Sequence, residues 1–148
     1  MLWTYYGAVA LLAGAALAVQ VGVNNGLKTR LEQPIAASIT SFATGTLALV
    51  LYWLASRSSW PSGDHWKGGP WWVWLGGSFG AVYIILTVTY SPRLGAAGWV
   101  GVVVTGQIVT SVILDHFGLL GFQEHSISWT RVGGVAMLLL GAAVVLRS

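Results

Sequence analysis

Cysteine is absent, which removes disulfides, thiolate metal sites and cysteine nucleophiles together and leaves the redox compartment open. Charge is scarce as well: 7% of the 148 residues are charged, and the four acids and seven bases are scattered rather than run together. So thin a scatter encodes neither a nucleic-acid-binding arm nor a solvated tail. What the chain does have is apolar bulk. Hydrophobic residues make up 55% and the mean hydropathy is +0.73, leaving too few polar groups to cover a water-soluble globule. The composition predicts an integral membrane protein.

A hydrocarbon core about 30 Å thick needs roughly 20 apolar residues of helix to cross it. Between the charges, five such stretches are expected, at about 2–27, 34–56, 70–91, 94–114 and 127–146. Lys28 ends the first; Pro34, suited to a first helical position, opens the second and Arg57 closes it. Pro70 and Pro92 bracket the third, Asp115 stops the fourth, and the fifth carries Arg131 in its first turn, where a long side chain can snorkel to the headgroups. One transmembrane domain, 1–148, follows, with no soluble domain beside it. The Ala16-Leu17-Ala18 run mimics a signal-peptide cleavage site, but no basic segment precedes it and the apolar stretch continues past it. The connection 58–69, with Trp60 and Trp66, leads into Trp71, Trp72 and Trp74. These rings fit an aromatic belt at headgroup depth, or, as a sharper alternative, a cage for a cation.

Five spans would place Arg57, Lys67 and Arg131 on one side and Lys28, Arg30, Arg93 and Arg147 on the other, with the Met1 amine narrowing the difference. Orientation follows the Lys and Arg bias between sides, so this chain has little reason to choose. Dual topology is expected, unless unequal loop weighting or a host insertase fixes one orientation. Two inverted copies of an odd-span unit reproduce the pseudo-two-fold symmetry of many transporters. No internal repeat supplies the second half, so an antiparallel homodimer, or pairing with a homologous chain, is the expected assembly.

Small residues recur at four-residue spacing: Ala10, Gly14, Ala18, Gly22 and Gly26, then Ala37, Ser41 and Gly45, then Gly76 and Gly80. Such rows let helices approach closely in lipid, where apolar burial gives no drive. Polar side chains also fall in helical register: Gln20 with Asn24, Tyr83 with Thr87, and Gln107 with Ser111 and Asp115. Amides in hydrocarbon are costly unless they face a partner or water. The stripes therefore line a cavity or bond between helices; for Gln20, Asn24 and Gln107 the cavity is favoured, since an amide offers more donors and acceptors than one packing contact consumes.

The titratable candidates for proton coupling, Asp115, His116, Glu32 and Glu124, all sit at helix ends or in loops, and only Asp115 could stand in for a buried coupling carboxylate. His65, His116 and His125 lack metal-ligand spacing, and neither GxSxG nor GxxxxGK[ST] occurs. No enzyme, metal or cofactor is expected.

Several segments taken together resemble one bacterial family. They are Gln20-Val-Gly-Val-Asn24, Pro34, Ser41-Phe42 with Gly45, Pro70-Trp71-Trp72 with Gly76-Gly77 and Gly80, Pro92-Arg93-Leu94-Gly95, Gly106-Gln107, Asp115-His116-Phe117-Gly118, and Arg131 with Gly133. This set is similar to the YdcZ-type small inner-membrane proteins of the drug/metabolite transporter superfamily. The resemblance implies a half-size, five-helix transporter in the bacterial inner membrane, related to ten-helix members built from inverted repeats. It names no substrate. The four-helix multidrug exporters of that superfamily use a first-helix glutamate, and here Gln20 and Asn24 are the polar residues of that helix. The combined expectation is an all-α membrane protein that moves a small polar solute, neutral or zwitterionic, by alternating access as an antiparallel dimer in lipid. Gln20, Asn24, Ser41, Tyr83, Gln107 and Ser111 would line its path, with Asp115 as a possible coupling group. A channel or facilitator, and a non-transporting scaffold, are the alternatives.

Overall fold

The computed structural model describes residues 2–147, with side chains from Thr4 onward; the Met1 amine lies outside the described residues. Those residues form four α-helices, α1 (Leu2–Leu31), α2 (Pro34–Ser56), α3 (Gly76–His116) and α4 (Trp129–Arg147), joined by short 3-10 turns, with no strand among them. Each helical stretch is long and apolar enough to cross a membrane. Water is absent from hydrocarbon, so backbone N–H and C=O groups must pair within a segment, and the helix does this along its whole length.

The chain divides into two compact units, 1–90 and 91–148. In the first, α1 runs past its apolar stretch so that Lys28 and Arg30 occupy its last turn, where cations complement the exposed carbonyls. Glu32 then takes a left-handed conformation (φ 57), its N–H donating to the Lys28 carbonyl at 2.8 Å. Pro34 starts α2 at a position where its missing N–H costs nothing. The small apolar core of this unit is Ala37 of α2 against Ile84 and Val88 of α3, with Leu27 of α1 packed beside it. Phe42 lies on Gly80 so closely that an added Cβ would stand 3.1 Å from the ring.

In the second unit the latter part of α3 packs on α4 through small residues. Gly98 faces Leu146, and Gly101 faces Ala142 at 3.8 Å from a built Cβ. By contrast, Gly14, Gly22, Gly26 and Gly45 meet nothing within 4 Å. The glycines of the rows expected on α1 and α2 are therefore open in the single chain, while Ala37 of the α2 row is buried. Most apolar side chains are exposed: among the described residues only Val21, Ala37, Ile84 and Val88 are buried hydrophobics. For a lipid-solvated helix this costs nothing, because the tails are as apolar as leucine.

One expectation is corrected. Four helices of spanning length are present rather than five, because the third and fourth expected stretches run together as α3. Pro92 does not end the helix. A proline is tolerated within a membrane helix when neighbouring groups take up the freed carbonyl. The interruption falls instead at Gly95, whose φ of 71° and ψ of 162° are not helical. This region is essentially closed to residues with a Cβ. Gly95→Ala should therefore lower stability by about 1–3 kcal/mol. Gly14→Ala, in open space, should leave it within about 0.5 kcal/mol. Unfolding of both variants in detergent against wild type checks this; equal midpoints for all three would remove the strain argument.

Candidate functional site

Of the three hollows among the described residues of the first unit, two adjoin each other and share Gln20. The larger, about 720 Å³, is an open groove between α1 and α2 whose polar lining is Gln20, Asn24, Arg30, Thr40, Ser41 and Thr44. The second, about 670 Å³, shares Gln20, Ser41 and Gly45 with it and reaches Gly77 of α3. Gln20 and Asn24 come to the groove together because residues four apart share a helix face. Ser41 meets them from α2 because the two-residue Glu32-Gln33 link holds the helices side by side.

Hydroxyls and amides behave differently here. Thr40 donates to the Ala36 carbonyl at 2.8 Å and Thr44 to the Ser41 carbonyl at 2.9 Å, so both hydroxyls are satisfied within α2. No side-chain hydrogen bond engages Gln20 or Asn24 among the described residues. Asn24 is nonetheless 4% exposed. Its amide atoms are not sealed off with the rest of the residue, so they open on the groove, where water or a ligand satisfies them.

The other expected residues are not gathered into this groove. Tyr83 is half-buried and lines none of the described cavities of its unit. Gln107 and Ser111 are exposed, and line neither of the two apolar cavities described between α3 and α4. Arg30 was missed. It read from the sequence as a charge marking the end of a span, and the lining expected to be uncharged contains it. On a helix-face plot it falls within about 20° of Val23, seven residues earlier, which also lines the groove.

Asp115 and Arg131 form a separate polar knot in the second unit. Arg131 Nη1 lies 3.3 Å from Asp115 Oδ2 and 3.4 Å from the His125 carbonyl oxygen. The Asp115 carbonyl accepts the His125 N–H at 2.7 Å, and His116 Nδ1 accepts the Ile127 N–H at 3.3 Å. This ion pair ties α4 and its preceding loop to the end of α3. Among the described residues, no group of three or more His, Asp or Glu could hold a metal ion.

The tryptophans also find partners. Trp53, Trp60, Trp66 and Trp74 form a column, with centroids 5.3, 5.9 and 5.5 Å apart and the last two contacts stacked. Rings stacked this closely leave no gap between them for a cation. Trp71, Trp72 and Trp74 stay exposed at the start of α3, where indoles suit headgroup depth.

An all-helical, multi-pass membrane protein with a polar groove among lipid-exposed helices is the class these features define. The chain belongs to the family described as "Putative inner membrane exporter, YdcZ", whose sequence profile matches residues 5–144. It is accordingly a multi-pass protein of the bacterial inner membrane, in an exporter family rather than an enzyme family. No curated protein and no solved structure matches it.

The Asp115–Arg131 pair is about one-third exposed on each side. A double-mutant cycle with Asp115→Asn and Arg131→Gln should therefore give a coupling of about 1 kcal/mol, between the surface and buried limits. Additive effects on unfolding would show that the pair does not hold the loop.

Proposed function

We propose that the chain is a half-size exporter of a small polar solute, completed by an inverted second copy and working by alternating access. The observation that carries the reading is the groove in which Gln20 and Asn24 present amides with no protein partner, in a chain whose family is one of membrane exporters. Solute would displace water from those amides and from the Ser41 hydroxyl.

The dimer and its topology rest on three supports. At about 1.5 Å per residue, the 41 residues of α3 amount to about 60 Å of helix, twice the hydrocarbon thickness. A turn at the Gly95 interruption would let the two parts of α3 cross separately, an odd number of crossings in each copy. The near balance of Lys and Arg between the two sides favours insertion both ways up. The open glycines of α1 leave room for a helix of another chain. Tyr83, Gln107 and Ser111 are secondary candidates for the solute path, open to the same substitution test as the groove residues. Asp115 has a structural partner in Arg131, which favours a positional role over coupling.

Gln20→Leu and Asn24→Leu should each reduce counterflow by about tenfold in proteoliposomes loaded with a panel of small polar solutes, equivalent to one lost hydrogen bond to a bound group. Unchanged flux through a folded protein would take the amides out of the path. Tags on both termini in intact cells should report both orientations in comparable amounts; one fixed orientation would overturn the inverted homodimer.

A further inference from the structure

The α1/α2 groove holds one kind of charge, and it is positive. Arg30, in the last turn of α1, lines it six residues beyond Asn24 and ten beyond Gln20, and no acidic side chain is among the lining residues. Glu32, two positions on, lies beyond the end of α1 in its left-handed turn and outside the lining. Lys28 shares the last turn of α1, yet only Arg30 reaches the groove. Among the described residues the Arg30 guanidinium has no ion-pair partner. A guanidinium presents five N–H donors in a planar fork that matches a carboxylate or a phosphate.

We propose that this groove selects solutes bearing an oxyanion, a carboxylate or phosphate that docks on Arg30 while the polar body of the solute bonds Gln20 and Asn24. The inference rests on the export reading and narrows its substrate class. The solute is an anion, or a zwitterion presented by its acidic end, and a bare cation is repelled. A phospholipid headgroup offers the same oxyanion chemistry, so the test separates the two sources.

Because the chain has no cysteine, Ser41→Cys supplies a single thiol inside the groove. Gly45→Cys, whose side chain meets nothing within 4 Å, is a second reporter should the first fail to fold. The full chain is placed in nanodiscs of neutral phosphatidylcholine. Each reporter is modified with anionic sulfonatoethyl and cationic trimethylammonioethyl methanethiosulfonate, with rates normalised to free mercaptoethanol. The anionic reagent should be favoured about tenfold. Arg30→Gln should bring the ratio to about one, and Arg30→Lys should preserve most of it. Hexanoate, but not hexylammonium, should slow modification by neutral methyl methanethiosulfonate, and Arg30→Gln should abolish that protection. If phosphatidylglycerol protects the thiol and hexanoate does not, the oxyanion is a lipid headgroup and the solute assignment falls. Equal rates for both charges, or a ratio that survives Arg30→Gln, overturn the inference while the groove stands. A thiol that no reagent reaches at either position overturns the groove itself, and the export reading with it.

Discussion

The constraint behind this molecule is the absence of water from hydrocarbon. Every backbone group has to find a partner inside its own segment, which forces helix, and every polar side chain left over has to find one too. Thr40 and Thr44 of α2 solve this by donating to carbonyls one turn back. Gln20 and Asn24 cannot, because an amide has more bonding capacity than a helix backbone can absorb. The groove between α1 and α2 is where that surplus collects, and its functional reading follows from the surplus.

Much of the helical architecture was legible in the sequence because charges and prolines act as punctuation. Lys28 and Arg57 stand near helix ends, and Pro34 opens α2. The boundary between the third and fourth stretches was misread, since Pro92 and Arg93 look like a stop. Proline costs a helix one hydrogen bond and a clash, which a membrane helix can accommodate, whereas the φ and ψ of Gly95 are closed to other residues. Only the backbone shows which punctuation the chain obeys.

The site was legible in part, for a related reason. Residues on one helix face can be read from spacing alone, so Gln20 and Asn24 were expected together, and they and Ser41 do line one groove. Charge at a span's end reads as a boundary, which hid Arg30. Which face of α3 carries Gln107 and Ser111 toward anything depends on packing that spacing does not encode. The partner of Arg131 was not legible because Asp115 lies 16 residues away across a loop whose fold depends on backbone contacts from His125 and Ile127.

The tryptophan column has an optical consequence. Four of the nine indoles, Trp53, Trp60, Trp66 and Trp74, sit within 6 Å of a neighbour and share excitation energy along the stack. The near-ultraviolet dichroism of the protein is then dominated by one loop and the helix ends that flank it. A spectroscopist watching intrinsic fluorescence sees the junction of α2 and α3 first, and the α1/α2 groove, which has no tryptophan in its lining, hardly at all.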